Sequence, residues 1–350
     1  MFTTARTIMT KARRPKAVFL NASRLDYDQQ LNFGRLDALV DLYRHKVDKV
    51  TNVDEMVHLV REHNAEIVIT KEMEVPKEAF AAFPDTVRLL CEAGTGYNNL
   101  PVGPARDRGV VVTNVPTYST DAVAQMAITY LMNFAVSMLP QQRMLWENND
   151  RANFTGPFTL PLMELGGKTI GLIGGAGRIG SKVADICLVL GMKVIISSRA
   201  GKLPDGHRLA DHPDVTVVST VDGLLDLEPD FVSIHCPLND NTRGSFGRAQ
   251  ISKMKPSAFL INTSRGAICN EPELIECLEE GLIAGAGLDV TTTEPPAMDS
   301  PLWNLRNCFL TPHTGWRRIE TRQRLVDMPA DSIEAYINAE SEEDMINVVN

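Results

Sequence analysis

The sequence predicts an α/β protein of two domains, each built on a doubly wound parallel sheet, and three observations point to this class. Short apolar runs rich in β-branched residues alternate with stretches typical of helices, which favours parallel strands joined by crossover helices. The runs are nearly continuous in hydrophobicity, as is typical of strands buried on both faces. The chain has 350 residues, which is enough for two domains of ordinary size.

A first series of strands precedes residue 118. Four apolar runs predict these strands, at residues 17–20, 65–69, 87–91 and 110–112. A long helix is predicted to begin near Ser119, because Ser, Thr and Asp there are favoured capping residues and apolar side chains follow on one face. A less regular stretch that carries aromatic residues follows at 139–165.

A second series of strands follows residue 168. Seven strands are predicted, at residues 169–173, 193–196, 215–218, 231–234, 259–262, 285–290 and 308–310. Residues 317–337 predict a final helix. We therefore place a domain boundary near residue 118, where the first series ends.

Composition and charge exclude several classes of protein. Hydrophobic residues make up 44% and charged residues 23% of the chain, as in ordinary globular proteins. The 35 basic and 44 acidic side chains give a net charge of −9, which repels polyphosphate and argues against nucleic acid or an anionic membrane as partner. No apolar stretch approaches the ~20 residues of a spanning helix. An anion that binds this protein must therefore be bound by local groups.

The cysteines and the N-terminal segment bear on metal content and on compartment. The six cysteines stand singly in apolar stretches, without the paired spacing of a zinc site, so we interpret them as reduced core residues and predict no metal. Residues 1–16 carry five basic residues and no acid, which weakly resembles an organelle-targeting leader. A frayed N-terminus of a cytoplasmic protein explains them as well, and we predict a cytoplasmic location.

A glycine-rich turn predicts a dinucleotide site. Gly175, Gly177 and Gly180 form a G-x-G-x-x-G pattern that follows a predicted strand and opens a predicted helix. Glycines permit the tight turn and let N–H groups at the helix N-terminus approach a pyrophosphate. An ordinary strand-to-helix turn is the alternative, but the placement and the further strands favour the cofactor.

The end of the next strand predicts which nicotinamide cofactor is preferred. In dinucleotide-binding folds an acid at this position accepts hydrogen bonds from the adenosine ribose. Here the strand ends in Ser197, Ser198 and Arg199, so no carboxylate repels a 2′-phosphate, and a hydroxyl and a guanidinium are present to bind one. We predict a preference for NADP(H); the alternative is an enzyme that uses NAD(H) without the ribose carboxylate.

Polar residues follow three late strands where an apolar core would not place them. Arg265 follows the strand at 259–262, Glu294 lies beyond the strand at 285–290, and His313 follows the strand at 308–310. Ligands of parallel sheets bind outside the carboxyl ends of the strands. These three side chains are therefore expected to converge beside the cofactor.

With these motifs, the chain resembles the D-isomer-specific 2-hydroxyacid dehydrogenases, and in particular the glycerate dehydrogenase branch, also called hydroxypyruvate and glyoxylate reductases. The resemblance covers residues 65–349, and the motifs that carry it lie at 93–99, 114–116, 119–126, 262–266, 287–290 and 311–313. One departure is that the segment Gly174-Gly175-Ala176-Gly177 is one residue longer than is usual in the family. The register of the phosphate-binding turn is therefore left open.

The resemblance implies an NAD(P)-dependent oxidoreductase that interconverts a small 2-keto acid and its D-2-hydroxy acid. Hydroxypyruvate or glyoxylate is the expected substrate, and a larger 2-keto acid is the alternative. His313 would be the general acid and base, Glu294 would orient it and favour its charged form, and Arg265 would polarise the carbonyl and bind the carboxylate. A non-catalytic dinucleotide sensor on the same fold is a rival from another class, which these three residues disfavour.

The resemblance also implies residues that contact the ligands. Cofactor contacts are expected from Thr120, Gly175, Gly177, Arg178, Ile179, Gly180, Ser198, Arg199, Cys236, Pro237, Thr263, Ser264, Arg265, Asp289, His313 and Gly315. Substrate contacts are expected from Gly94, Thr95, Gly96 and Tyr97, whose loop would present N–H groups to the carboxylate, and from Arg265 and His313. Trp316 either shapes the substrate pocket or packs. Asp289 is either a partner of the nicotinamide amide or a buried structural acceptor.

The resemblance finally implies the domain arrangement and the assembly. A flavodoxin-like substrate domain, residues 1–117 and 320–350, is expected to flank an inserted Rossmann domain, residues 118–319. The active site would lie in the cleft between the two domains, and its closure would expel water. Residues 139–165 resemble the arm through which family members dimerise, so a homodimer is expected.

Overall fold

The computed structural model describes residues 13–148, 154 and 160–350, which form two compact units. The first unit contains the described residues up to Tyr118 together with Arg317–Asn350, and the second contains the described part of Ser119–Trp316. Both units are built on parallel sheets, so the predicted fold class is confirmed. Most of the basic N-terminal segment, residues 1–12, lies outside the described residues, as do 149–153 and 155–159 of the expected arm.

The first unit has a five-stranded sheet in the order β2-β1-β3-β4-β5. Its strands are β1 (Lys16–Phe19), β2 (Asp41–Arg44), β3 (Ile67–Thr70), β4 (Leu89–Glu92) and β5 (Val111–Thr113), and its helices include α1 (Gly34–Leu39), α2 (Val53–Glu62), α3 (Lys77–Ala81) and α4 (Val102–Asp107). This order is that of flavodoxin-like sheets. The central strands β3 and β4 are buried at every residue, which explains their continuous apolar sequence.

The second unit has a seven-stranded parallel sheet in the order β12-β11-β10-β9-β6-β7-β8. In chain order its elements are α5 (Thr120–Val136), α6 (Met138–Asn148), β6 (Thr169–Ile173), α7 (Arg178–Val189), β7 (Lys193–Ser197), β8 (Val215–Val218), α8 (Val221–Leu225), β9 (Phe231–Ile234), α9 (Arg248–Ile251), β10 (Phe259–Asn262), α10 (Glu271–Glu279), β11 (Gly285–Leu288) and β12 (Cys308–Leu310). The strand order reverses between β6 and β9, which is where open α/β sheets bind ligands.

Helix α5 packs closely on the second sheet. The ring of Phe134 stacks on Phe259 with centroids 4.4 Å apart and on Phe309 at 5.1 Å. A Cβ atom at Gly287 would lie 2.5 Å from the Tyr130 ring, so glycine is needed there for the helix to approach the strand. No single described helix is long and apolar enough to cross a membrane; α5 and α6 meet that test only as a pair, and they are bent by 62°.

The chain returns to the first unit after residue 316. Helix α11 (Ile319–Asn338) matches the predicted final helix, and the last residues then reach the edge of the first sheet. There the Val349 N–H donates to the carbonyl of Val112 at 2.9 Å, and Val348 forms an antiparallel bridge with Thr113. Strand β2 was not predicted, because its residues alternate between exposed and half-buried and two of the four are charged.

Candidate functional site

The glycine-rich turn joins β6 to α7 and forms a cradle of bare backbone. Gly174 has φ of +81°, and a Cβ atom there would lie 2.7 Å from the backbone nitrogen of Cys236. A Cβ atom at Gly180 would lie 2.6 Å from the Cα of Gly175. Side chains at these positions would therefore displace the turn.

The end of the turn is defined by the start of α7. Gly177 caps α7, the Gly177 N–H donates to the carbonyl of Gly174 at 3.0 Å, and the helix begins at Arg178. Gly174, directly before the G-x-G-x-x-G pattern, has the left-handed conformation that glycine readily adopts. The first N–H groups of α7 have no partner within the helix, and together with the bare glycines they fit a pyrophosphate.

Ser198 and Arg199 lie directly after β7, as expected for residues beside the adenosine ribose. The Ser198 N–H donates to the carbonyl of Val218 at 2.9 Å, and its hydroxyl donates to the carbonyl of Lys202 at 2.8 Å. The Arg199 side chain is exposed. Neither Ser198 nor its neighbours Ser197 and Arg199 brings a carboxylate to this strand end.

Strand register places the other expected cofactor residues along the same sheet edge. Ile173 of β6 pairs with Ile234 of β9, and Ile234 pairs with Asn262 of β10. Cys236 and Pro237 follow β9, Thr263 and Ser264 follow β10, and Asp289 follows β11. Thr120 opens α5 and is half-buried. The buried hydroxyl of Thr263 has no hydrogen-bond partner among the described residues, so it is available to a ligand.

Arg265 is held by its backbone while its side chain is exposed. The Asn262 side-chain amide donates to the carbonyl of Arg265 at 2.9 Å and accepts from the Ser264 N–H at 3.0 Å. Gly266 packs so tightly on the backbone of Thr291 that no Cβ atom fits there. The guanidinium donates from Nη1 to the carbonyl of Ser264 at 2.8 Å. Hydrogen bonds therefore fix the backbone of Arg265, whereas its side chain is able to move.

His313 and Glu294 form a close pair beside this strand end. His313 Nδ1 lies 2.7 Å from Glu294 Oε2, and since the carboxylate can only accept, Nδ1 carries the proton. Nε2 is left to exchange a proton with a ligand. The Glu294 side chain is also held, since its Oε1 accepts from the Thr291 N–H at 3.3 Å.

The loop that carries His313 is shaped by buried Asp289. The Asp289 Oδ1 atom accepts from the Thr314 N–H and Oδ2 accepts from the Gly315 N–H, each at 2.8 Å, and Oδ1 also accepts from the Thr311 hydroxyl. His313 has φ of +50°, and its N–H donates to the Asp289 carbonyl at 2.9 Å. Asp289 is thus a structural acceptor in this structure, the second of the two predicted alternatives; a contact with the nicotinamide stays a prediction.

The residues expected to bind a carboxylate lie in the first unit. Gly94 follows β4, and its carbonyl accepts from the Val115 N–H at 2.9 Å. The Thr95 hydroxyl donates to the carbonyl of Val115 at 2.8 Å, and the Asn114 amide donates to the carbonyl of Thr95 at 2.8 Å. Thr95 and Tyr97 are exposed and Gly96 is half-buried, so the loop faces solvent while its first two residues are held by hydrogen bonds. Trp316 is buried, which favours its packing alternative.

Two charged residues of the first unit were missed by the sequence analysis. Lys71 follows β3 and Glu92 ends β4, and both side chains are fully buried. The signal was available, because each is a charged residue at the carboxyl end of an apolar strand, which is the same pattern that singled out Arg265.

Comparison with known proteins identifies relatives over most of the chain. Residues 129–315 match the family profile described as the NAD-binding domain of D-isomer specific 2-hydroxyacid dehydrogenases. A hydroxypyruvate reductase of Blautia hydrogenotrophica is 34% identical over 324 residues, 91% of this chain and 95% of that protein. A glyoxylate reductase of Korarchaeum cryptofilum is 33% identical over 86% of this chain and 85% of its own length.

A solved structure agrees with these relatives. The NADPH-dependent glyoxylate/hydroxypyruvate reductase of Sinorhizobium meliloti, in complex with NADP and malonate, superposes with a TM-score of 0.77 and 26% identity. The match covers 96% of this chain and 97% of that one. The resemblance found in the motifs is confirmed by these matches.

Proposed function

The chain belongs to the D-isomer-specific 2-hydroxyacid dehydrogenase family, and on that premise we propose that it reduces glyoxylate or hydroxypyruvate to the corresponding 2-hydroxy acid with NADPH. The observation that carries the proposal is the 2.7 Å contact between His313 Nδ1 and Glu294 Oε2, on the sheet edge where the glycine cradle lies. An imidazole oriented by a carboxylate serves proton transfer, which binding of a dinucleotide alone does not require. The names of the relatives support the choice of substrate.

The proposed chemistry follows from the charge that develops on the substrate. The glycine-rich turn before α7 would hold the dinucleotide, whose nicotinamide would supply a hydride, and the carbonyl oxygen of the substrate would gain negative charge as its carbon accepted that hydride. His313 would donate its Nε2 proton to that oxygen and take it back in the reverse direction. Glu294 would hold the ring by Nδ1 and stabilise its positive charge. Arg265 would bind the carboxylate and polarise the carbonyl through its planar guanidinium.

The loop of residues 94–98 would bind a carboxylate group. Backbone N–H groups in a glycine-rich loop form an anion-binding nest without any cationic side chain at the surface. The hydrogen bonds that hold the start of the loop, at Gly94 and Thr95, support this role, because a preorganised loop loses little entropy on binding.

The proposed function is tested by assaying 2-keto acids of increasing size with NADH and with NADPH. We expect kcat/KM to be highest for glyoxylate or hydroxypyruvate with NADPH. A preference for a larger 2-keto acid would change the substrate but keep the reaction class. The absence of turnover with every acid in the panel, under either cofactor, would contradict the proposal.

Cofactor preference is expected to move when an acid is introduced at Ser198. Ser198→Asp places a negative charge after β7, where it repels a 2′-phosphate and accepts from a ribose hydroxyl. We expect the ratio of kcat/KM for NADPH over NADH to fall by about tenfold or more. Ser257→Asp, an equal charge change on an exposed residue before β10, should leave the ratio unchanged. A wild-type enzyme that already favours NADH would overturn the proposed preference.

An exposed apolar surface supports a homodimer. Met132 and Val136 of α5 and Met138, Leu139 and Trp146 of α6 are exposed, Trp146 by 76%. Several large apolar side chains exposed on two consecutive helices are typical of a protein interface. We propose that a second copy of the chain covers it.

A cytoplasmic location stays a prediction, since residues 1–12 lie outside the described part of the chain.

The assembly is expected to dissociate when charge is placed on this surface. Wild-type protein should sediment with twice the chain mass of 38.6 kDa, and Leu139→Glu should shift it toward the monomer, because an unpaired carboxylate would be buried. Val189→Glu makes the same kind of change at an exposed apolar residue of α7 and should have no effect. A monomeric wild type would contradict the proposed dimer.

A further inference from the structure

A buried charged cluster lies beneath the loop of residues 94–98. Lys71 and Glu92 are both 0% exposed, and each comes at the carboxyl end of a central strand. Burying an ammonium and a carboxylate carries a large desolvation cost, and an apolar pair of similar volume often stabilises a fold equally well. Stability alone therefore does not explain why this position holds charges.

Lys71 is fixed in place by several partners. Its Nζ donates to Glu72 Oε1 at 2.8 Å and to the Tyr118 hydroxyl at 3.4 Å. Its backbone N–H donates to the Asn21 side chain at 2.9 Å, and its carbonyl accepts from the same side chain at 2.7 Å. Burial acts to lower the pKa of Lys71, but the charges of Glu72, Tyr118 and Glu92 raise it overall, so the ammonium is positive.

Glu92 is fixed by three donors. Its Oε2 accepts from the Thr70 hydroxyl at 2.8 Å and from the Asn99 amide at 2.9 Å, and its Oε1 accepts from the Glu72 N–H at 2.8 Å. Asn99 itself follows the loop, so this carboxylate ties the loop's far end to the end of β3.

Gly94 brings the loop directly onto these two side chains. A Cβ atom at Gly94 would lie 2.9 Å from Glu92 Oε1 and 3.4 Å from Lys71 Nζ. The first backbone atoms of the loop therefore rest on the charged ends of both residues. In a buried, low-dielectric setting a charge acts strongly over such distances.

We propose that Lys71 is a positioning residue for the carboxylate-binding loop: its buried ammonium beneath Gly94 raises the affinity of the loop for an acid, and the charge of Glu92 opposes this effect. The inference rests on the proposed function of the loop. It explains why a protein of net charge −9 would maintain a fully buried cation behind a surface that binds anions.

The proposal predicts a pH dependence with a defined sign. Burial raises the pKa of Glu92 to about 7, against the opposing charge of Lys71 and three hydrogen bonds. Above that pH the ionised carboxylate adds negative charge beneath the loop, so the KM for the acid should rise as pH rises through about 7. The other charged or titratable groups described around this cluster are Lys71, Glu72, Tyr118 and Cys91. Arg24 lies next to them, with Nη2 at 3.1 Å from Glu72 Oε2 and Nη1 at 3.6 Å from Asp48 Oδ1.

The test compares an acid with its uncharged ester. In Lys71→Met, the ratio of kcat/KM for glyoxylate over methyl glyoxylate should fall about tenfold or more, while kcat for the ester and the Kd for NADPH stay unchanged. A role limited to stability would lower both substrates equally. Glu92→Gln should remove the rise in the KM for glyoxylate above pH 7. Lys77→Met, at an exposed lysine of α3, is the matched control.

Two further measurements cover the cases in which the variant does not fold or the wild-type protein shows no turnover. If Lys71→Met does not fold, the double variant Lys71→Met, Glu92→Gln removes both buried charges and is measured instead. If wild-type protein turns over neither compound, the proposed function fails, and calorimetric titration with oxamate still compares the acid affinity of the variants. A folded Lys71 variant with an unchanged acid-to-ester ratio, or unchanged oxamate affinity, would overturn the proposal.

Discussion

Replacing His313 by Gln is expected to abolish turnover and to leave cofactor binding intact. Loss of a positioned general acid costs about 10²- to 10⁴-fold in rate, because the negative charge on the carbonyl oxygen is no longer neutralised as it forms. Gln keeps the approximate size of the side chain and can still donate toward Glu294, so the loop should retain its shape. The measurement is steady-state kcat with glyoxylate beside the Kd for NADPH from fluorescence titration.

The structure indicates why this loss should be confined to chemistry. The loop is shaped by Asp289, which accepts from the N–H groups of Thr314 and Gly315, and none of these contacts uses the imidazole. His58→Gln, at a histidine whose side chain is 72% exposed on α2, is the control and should keep full activity. Turnover by His313→Gln within about tenfold of wild type would remove this residue from the proposed role.

Three inner strands of the second sheet were predicted from sequence with accurate limits. The bounds of β6, β9 and β10 coincide with the predicted runs, because a parallel strand covered by helices is apolar almost throughout. Strand β2 carries no such run, since it lies at the sheet edge and keeps half of its surface in water. The bridge of Val348 to Thr113 also escaped prediction, because it joins residues that are far apart in the chain.

The residues of the candidate site were likewise predicted only in part. A charged residue at the end of an apolar strand is visible in the sequence, and this pattern singled out Arg265 and His313. It applied equally to Lys71 and Glu92, but what makes those two residues informative is their contact with Gly94, which only the folded chain brings about. The role of Asp289 likewise depends on donors more than twenty residues away, at Thr311, Thr314 and Gly315.

Arg265→Lys is expected to lower kcat/KM for the 2-keto acid by about 100-fold, with most of the loss in kcat. Lys keeps the positive charge but replaces a planar fork by a single ammonium, so it cannot bind a carboxylate by two parallel hydrogen bonds while also polarising the carbonyl. A role limited to attracting anions would survive the exchange with little loss.

The fold should tolerate Arg265→Lys, which makes the result interpretable. Asn262 binds the carbonyl of residue 265 and the N–H of Ser264, so the backbone is held whichever side chain is present. Among the described residues, the hydrogen bond that the exchange removes is that of Nη1 with the Ser264 carbonyl. Arg88→Lys, at an exposed arginine of the first unit, should leave kcat/KM unchanged and provides the control. Near-normal kinetics in Arg265→Lys would mean that a positive charge suffices at this position, and would contradict the role proposed for the planar guanidinium.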